Sequence, residues 1–282
     1  MPDNHDGFIY ENHLGQRFDG LSNGVYLNQS DLRDYAWDYD TINNRVSRFY
    51  RGVTSRNIPL VVYAKSGAEA KAAKNRLCDI TEADIAETNN GKVTPGKIFV
   101  GDYYTLGWIV ASKKTNYMPN PRYTRLGLEL LRDDSAWYRD TTHAFIPSSR
   151  AQTAVGAGYP YDLPYDYTNP VNTRNIMCES VGGNAFRLLI YGRADNPTVY
   201  IGGHTYAING TVNSGETLLI DSLNKTITLT TATGKKENWY ARRNRGSYIF
   251  EPIPAGQNSV NWDGTFGFDL TVIEKRSEPR WI

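Results

Sequence analysis

The stretch TFGFDLTVIE, residues 265–274, alternates large apolar residues with small or polar ones. Because successive side chains of a β-strand point to opposite faces of a sheet, the alternation puts Phe266, Phe268, Leu270 and Val272 on one face. Strands with one apolar face are typical of antiparallel sheets that cover a core on one side. The stretch therefore predicts an antiparallel β-sandwich or jelly roll in the second half of the chain.

Short strands of the same kind precede this stretch, and turn pairs separate them. Gly202-Gly203, Asn209-Gly210 and Asn224-Lys225 fall between or beside the strands. No segment with a helical period appears after Phe186, so this half is predicted to contain only β-structure. The predicted strands are residues 186–191, 198–201, 205–208, 217–221 and 226–230.

The first half contains one clear helix signal, SGAEAKAAKNRL at residues 66–77. Ser66 is followed three positions later by a glutamate, which forms a capping box, and alanines dominate the stretch. Ala70, Ala73 and Leu77 fall on one stripe of the helix. Because this stripe is narrow and made of small residues, it suits a helix that lies on a sheet or against a neighbouring subunit.

Strand signals surround the predicted helix. NIPLVVYA at 57–64 is rich in β-branched residues, and DYAWDY at 34–39 alternates aromatic and polar residues. KIFVGDYYTLGWIVAS at 97–112 contains two apolar runs split by Gly101-Asp102, which indicates a hairpin. The first half is therefore predicted to be a small sheet with one helix, in a mainly β protein.

Composition excludes several function classes. Lysine and arginine total 31 and aspartate and glutamate 30, so no net charge draws the chain onto nucleic acid or an anionic membrane. Residues 1–17 have no apolar core of a signal peptide, and no run approaches the roughly 20 apolar residues that span a bilayer. We expect a soluble chain made in a cytoplasm, without nucleic-acid or membrane partners. Its two cysteines, Cys78 and Cys178, are expected to be buried thiols.

The stretch GYPYDLPYDY at residues 158–167 lies between the two halves. Its prolines favour an extended conformation, so it reads as a linker or packed crossover. The alternatives are a sugar-binding platform, because tyrosine rings stack on sugars, and a catalytic loop. The predicted organisation is a first domain at 1–145 and a second at 146–282, with 146–168 as the crossover. The tyrosines expected at the domain junction are Tyr159, Tyr161, Tyr165 and Tyr167.

No arrangement of residues predicts an active site, a metal site or a cofactor site. The four histidines occur singly, and no phosphate-binding loop or nucleophile elbow is present. Asp38 with Asp40 and Asp133 with Asp134 are acidic pairs of the kind that glycoside hydrolysis needs, but they read as a solvent-facing strand and a turn. The basic cluster near residue 240 is a weak candidate for binding sugar or nucleic acid, through Trp239, Tyr240, Arg242 and Arg243.

Several stretches in order along the chain resemble the distal tail proteins of long-tailed phages that infect Gram-positive bacteria. The first half carries YENHLGQRFDG, DYAWDYD, the capped helix, GKIFVGDYY, WIVAS and SAWYRDTTHAF. The second half carries YPYDLPYDY, FRLLIYGRADNPTVYIGG, NGTVNSGETLLIDSLNKTITL, IPAGQNSVNW and RSEPRW. Each stretch is loose by itself, but their order and spacing cover nearly the whole chain.

This resemblance implies a virion structural protein without enzymatic activity or cofactor, made in the bacterial host cytoplasm. It implies an N-terminal belt domain with one helix, whose six copies close a ring, and a C-terminal galectin-like sandwich outside the ring. Two stacked rings are the alternative to a single ring. The ring would join the tail tube protein to a tail-tip protein or tail-associated lysin, and would offer a surface to receptor-binding proteins. A carbohydrate-binding module that acts through the sandwich is the alternative.

Exposed strand edges and small-residue helix faces are suited to contacts between subunits of a ring. The predicted helix stripe and the predicted hairpin arm supply such features in the first half. The residues expected at the ring interface are Ala70, Ala73, Leu77, Phe99, Tyr103, Tyr104 and Trp108.

Overall fold

The computed structural model describes residues 8–28, 30–114, 122–147, 174–180 and 182–280. Within these residues the protein is mainly β with a single α-helix, which confirms the predicted class. The chain divides into two compact units, which are Met1–Arg139 with Arg276–Ile282 and Asp140–Lys275. The first unit is thus made of two separate segments of the chain, and the second unit is inserted between them.

Two antiparallel sheets of the first unit share one long strand, β8. The first half of β8 lies between β7 and β10 in the order β10-β8-β7-β1-β2, and its second half pairs with β9 in the order β8-β9-β6-β3. Strands β4 and β5 form a separate hairpin. The strands that begin in this unit are β1 (Ile9–Glu11), β2 (Arg17–Asp19), β3 (Val25–Leu27), β4 (Asp38–Ile42), β5 (Arg45–Tyr50), β6 (Thr54–Tyr63), β7 (Gly96–Val100), β8 (Tyr103–Lys114), β9 (Tyr123–Arg132) and β10 (Trp137–Phe145).

Helix α1 (Gly67–Asn89) begins where the sequence predicts it and runs a further three turns past Leu77. The Ser66 hydroxyl accepts a hydrogen bond from the Glu69 amide at 3.2 Å, which caps the first turn. The buried stripe continues beyond the predicted stretch through Ile80, Thr81 and Asp84. The helix therefore packs on the core of the first unit from Ala70 to Asp84.

The second unit is built from two antiparallel sheets that share one core. Their orders are β19-β18-β17-β12-β21 and β11-β20-β14-β15, and β13 pairs with β16 beside them. The strands are β11 (Arg174–Cys178), β12 (Ala185–Tyr191), β13 (Ala194–Asp195), β14 (Thr198–Ile201), β15 (His204–Ala207), β16 (Thr211–Val212), β17 (Thr217–Asp221), β18 (Thr226–Thr230), β19 (Lys236–Asn238), β20 (Gly256–Trp262) and β21 (Phe268–Arg276).

The predicted alternation in the second unit agrees with the observed burial. Phe266, Phe268, Leu270 and Val272 are all buried in the shared core. Gly202 and Gly203 have φ angles of 56° and 84°, as a tight turn between β14 and β15 requires. Local alternation and turn chemistry thus predict β12, β14, β15, β17, β18 and β21, whereas β11, β13, β16, β19 and β20 were not predicted.

Three expectations differ from the structure or fall outside it. The strand expected from Asp34 begins only at Asp38. Cys78 is exposed, so the expectation that both thiols are buried is wrong for this residue, whereas Cys178 is buried. The stretch at residues 158–167, with its four junction tyrosines, lies outside the described residues. Among the described residues, no helix is both long enough and apolar enough to cross a membrane.

Candidate assembly surface

The β4–β5 hairpin is the most exposed element of the first unit. Every residue from Asp38 to Tyr50 is exposed. Asn43 and Asn44 have positive φ angles of 52° and 58° at its turn, a conformation that asparagine tolerates better than most residues. Large apolar side chains lie on the hairpin all the same, with exposed fractions of 60% for Tyr39, 65% for Ile42, 52% for Val46 and 62% for Phe49.

A two-stranded hairpin in water is at best marginally stable by itself. Both outer edges of β4–β5 lack a strand partner among the described residues, and both faces meet solvent. Its base is held in the first unit, because the Arg51 guanidinium lies 4.1 Å above the Trp37 ring and donates to the Ser277 hydroxyl at 2.7 Å. An anchored hairpin with exposed apolar side chains is typical of an element that is covered in an assembly.

A groove runs between α1 and the second half of β8. It encloses about 350 Å³. Apolar residues make up much of its surface. Residues that line it include Lys74, Leu77, Cys78, Ile85, Val110 and Lys114.

The groove lies beside a strand edge that is open in the described residues. Strand β7 pairs with β8 only as far as Gly107, and β9 pairs with β8 from Trp108 to Lys114 on the other side. Within the described ranges no strand pairs with the β7 side of β8 beyond Gly107. Backbone amide and carbonyl groups at such an edge can add another strand.

One exposed thiol lines this groove. The Cys78 sulfur lies 3.2 Å from a carboxylate oxygen of Glu82. The hydrogen bond to Glu82 raises the pKa of the Cys78 thiol, so the thiol is protonated near neutral pH. Cys78 is therefore an accessible but weakly reactive group, not an activated nucleophile.

A buried cluster joins the N-terminal strand to α1. The Asp84 carboxylate accepts hydrogen bonds from the Tyr10 hydroxyl at 2.5 Å and from the His13 amide at 2.8 Å, and it lies 2.6 Å from the His13 ring. Burial raises the pKa of Tyr10 far above its ordinary value. Because Asp84 and Tyr10 are fully buried, the cluster holds the helix in place and offers no access to a substrate.

The structure divides the residues expected at the ring interface between the core and the surface. Ala70, Ala73, Leu77 and Tyr103 are buried in the core of the first unit. The helix stripe thus lies on the unit's own sheet, which is one of the two arrangements that its pattern allowed. These four side chains leave no surface for a neighbouring subunit.

The other three expected residues lie outside this core cluster. The Phe99 ring is half-buried and lies 5.8 Å from the Tyr104 ring. The Trp108 indole N–H donates to the Thr88 hydroxyl at 3.0 Å, next to the end of α1. Phe99 and Trp108 therefore retain partly exposed surface, whereas Tyr104 is buried.

The acidic pairs have local structural roles or lie in open solvent. Asp38 and Asp40 belong to the exposed hairpin. Asp133 accepts from the Asp134 amide at 2.8 Å, and Asp134 accepts from the Tyr138 hydroxyl at 2.8 Å. Burial raises the pKa of Tyr138. These hydrogen bonds stabilise a turn and do not form a catalytic pair.

The basic cluster of the second unit combines one buried ring and one exposed ring. Trp239 belongs to the core, and the Arg242 guanidinium lies 4.4 Å from its centre. Tyr240 is exposed, and the Arg243 guanidinium lies 4.1 Å from its centre. Tyr240 also stacks on Phe250 at 6.0 Å. The rings are thus engaged mainly by the protein's own side chains.

Histidines and carboxylates do not gather into a metal site in the described ranges. His13 belongs to the Asp84 cluster, and the His204 ring lies 2.9 Å from the Tyr248 carbonyl. His143 is partly buried, and burial lowers its pKa.

No protein-family model and no curated protein sequence matches the chain. Solved structures of phage proteins do match in fold. The crystal structure of the SPP1 Dit (gp 19.1) protein, described as a paradigm of hub adsorption apparatus in Gram-positive infecting phages, superposes with a TM-score of 0.55 at 8% identity. That match covers 95% of this chain and 99% of the SPP1 chain.

A chain of the phage P2 baseplate in its activated conformation with Ca matches with a TM-score of 0.59 at 11% identity, over 97% of this chain and 99% of that chain. The same baseplate with Sr gives 0.57 at 11% identity, with the same coverage. At such low identity the likeness concerns the fold. The chain thus shares the fold of hub and baseplate proteins along nearly its whole length.

Proposed function

We propose that this chain is a non-enzymatic structural protein of a phage tail. Six copies form a ring at the distal end of the tail, with the first unit as the ring-forming belt domain and the second unit as a galectin-like domain outside it. The ring joins the tail tube protein to a tail-tip protein or tail-associated lysin, and it presents a docking surface to receptor-binding proteins. The stretch at residues 158–167 is proposed as the crossover between the units.

The observation that carries this proposal is the exposed β4–β5 hairpin. Its apolar side chains contribute nothing to either core, yet they occupy a whole element. A subunit contact that closes by rotation would cover them and would pair their strand edges. The shared fold with SPP1 Dit and with the P2 baseplate chain supports the same role.

The test is the absolute mass of the purified chain by light scattering after size exclusion, with negative-stain images of the main peak. We expect a ring of six or two stacked rings. A monomer at every concentration would contradict a ring that forms without other tail proteins, and the mass must then be measured in the presence of the tube protein. Failure to assemble there as well would overturn the proposal.

A double substitution on the hairpin separates assembly from folding. Tyr39 and Phe49 are paired across β4 and β5, and Tyr39→Thr with Phe49→Thr removes both rings while favouring strand structure. We expect loss of the ring with a free energy of unfolding within about 0.5 kcal/mol of wild type, because neither ring is buried in the monomer. Tyr63→Thr, which removes a similarly exposed ring on β6, is the matched control and should leave the ring intact.

A second candidate function is carbohydrate binding by the second unit. It is favoured by the exposed rings of Tyr240 and Tyr248, with Lys225 at 5.6 Å from the Tyr248 ring. Retention of soluble cell-wall polysaccharide by the full chain, and loss of retention in Tyr248→Ala, would support this function. A chain that forms a ring and retains no polysaccharide supports the hub alone.

A further inference from the structure

We propose that the groove between α1 and β8 receives the β4–β5 hairpin of a second copy of this chain. Strand β4 of one copy adds to the open edge of β8 in the next copy. The inference rests on the proposed ring and goes further, because it assigns which two surfaces meet at each subunit contact.

The two surfaces have matching backbone edges. Beyond Gly107, the β7 side of β8 has no strand partner in the described part of the chain, and β4 is one strand of an isolated hairpin. Strand addition at an open edge satisfies backbone groups on both chains. The contact would therefore cover two strand edges at once.

Charge complementarity sets the direction of the added strand. Strand β4 begins with Asp38 and Asp40 and has no basic residue, whereas the open half of β8 ends with Lys113 and Lys114 and has no acidic residue. The acidic start of β4 lies beside the basic end of β8 only if the two strands run antiparallel. In that direction Asp38 comes opposite Lys114.

The same antiparallel register also brings the apolar end of β4 opposite an apolar residue of β8. With Asp38 opposite Lys114, the same register places Ile42 opposite Val110. These side chains are 65% and 45% exposed in the single chain, so each has surface to cover. Ile85 of α1 is partly exposed in the adjoining groove and supplies further apolar surface.

The hairpin that fills the groove belongs to another copy, because the chain's own hairpin does not lie in its own groove. All its residues are exposed, and its base is fixed by Arg51 against Trp37 and Ser277. The groove residues Val110 and Cys78 are also exposed in the single chain. Hairpin and groove are thus both free in one copy, as head-to-tail ring contacts require.

The native thiol in the groove gives a direct test. Thr41→Cys places a second thiol on β4, and a short bis-maleimide joins it to Cys78 when the hairpin of one copy occupies the groove of the next. We expect a ladder of covalent oligomers up to the size of the ring on denaturing gels. Cys178 is buried and should not react in the folded chain.

Two control variants define the background of this reaction. Thr41→Cys with Cys78→Ser retains the hairpin thiol alone and should give no ladder. Val93→Cys carries a new thiol at a position that is 70% exposed and outside both surfaces, and it should give no ladder with Cys78. A ladder of equal strength from Val93→Cys would mean that the reaction reports random collision.

Charge reversal tests the register independently. Asp38→Lys with Asp40→Lys, or Lys113→Glu with Lys114→Glu, should each raise the concentration for half assembly by roughly tenfold or more, because like charges would face each other. The chain that carries all four substitutions should assemble as wild type does. Failure of the combined chain to recover, while each pair of substitutions alone weakens the ring, would contradict the register.

The outcomes separate this inference from the proposed function. A ring that forms while the Thr41→Cys variant gives no cross-linked ladder through Cys78, and that tolerates each charge reversal, overturns the hairpin–groove contact and leaves the hub role standing. A cross-link confined to single chains also overturns it. Wild-type chains that never form a ring, with or without the tube protein, overturn both.

Discussion

At the scale of single residues, the Asp84 cluster shows how one glycine is required by side chains distant in sequence. Gly96 begins β7 directly beside the Tyr10 hydroxyl and the Asp84 carboxylate. A Cβ atom at this position would lie far inside contact distance of both groups. No local pattern marks Gly96 or Asp84 in the sequence, because the requirement arises only when strand, helix and N-terminal segment meet.

We expect Gly96→Ala to destabilise the protein by about 1–3 kcal/mol, because the added methyl group forces Tyr10 and Asp84 apart in a packed interior. Urea unfolding followed by tyrosine and tryptophan fluorescence measures the change. Gly127→Ala is the matched control, since a Cβ there meets its neighbours only at 3.5 Å or more. Similar losses from both substitutions would contradict this explanation.

At the scale of elements, prediction from sequence succeeds where the pattern is local. Six of the eleven strands of the second unit follow from alternation and turn residues, and the start of α1 follows from Ser66 and its capping box. The second half of the helix could not be predicted in the same way, because its stripe includes Asp84. A buried carboxylate there looks like a polar surface position until Tyr10 and His13 are brought to it.

The candidate interface shows the same limit. The stripe of Ala70, Ala73 and Leu77 predicts that the helix packs against another surface. The pattern does not distinguish a sheet of the same chain from a neighbouring subunit. The exposed hairpin was not among the expected interface residues, and of the open half of β8 only Trp108 was. Their exposure depends on which strands pair, and pairing between distant segments is not encoded in local alternation.

Substitution of Ser66 tests the helix cap. We expect Ser66→Ala to lower the free energy of unfolding by about 1 kcal/mol, because the Glu69 amide loses its acceptor. Ser66→Asp keeps an acceptor and adds a negative charge at the helix N-terminus, so it should retain or slightly exceed wild-type stability. Equal loss in both variants, measured by thermal unfolding, would show that the cap contributes nothing.

At the scale of the whole molecule, both units bury tyrosine hydroxyls. Tyr10 and Tyr138 lie in the first unit and Tyr206 in the second, and burial raises the pKa of all three. Arg132 is fully buried, and burial lowers its pKa to about 10. The folded protein is therefore more sensitive to alkaline than to mildly acidic conditions on account of these groups.

The direction of the pH dependence follows from these shifts. A tyrosine whose pKa is raised by folding contributes its full stability below its ordinary pKa of about 10 and loses it as pH rises above that value. Arg132 acts in the opposite direction in the same range, but the three tyrosines outnumber it. We expect the free energy of unfolding to fall above about pH 10, measured by urea unfolding at several pH values.

Tyr206→Phe isolates one contribution to that loss. The Tyr206 hydroxyl donates to the Glu251 carbonyl at 2.7 Å, so the substitution should cost about 1 kcal/mol near neutral pH. At about pH 11 the variant should recover about 1.4 kcal/mol relative to wild type, since it has no phenol to ionise on unfolding. An unchanged alkaline slope would mean that Tyr206 ionises within the folded protein.

The insertion of the second unit into the first has a consequence for biosynthesis. The first unit, which we propose forms the ring, includes the segment from Arg276 onward, and Ser277 accepts a hydrogen bond from Arg51 at the base of the hairpin. On the ribosome, the second unit emerges complete before that segment does. We expect chains released before Arg276 to fold their sandwich and yet to be absent from rings, which pulse-labelled translation products fractionated by size would reveal. Late completion of the belt would thus act as a proofreading step that excludes unfinished subunits.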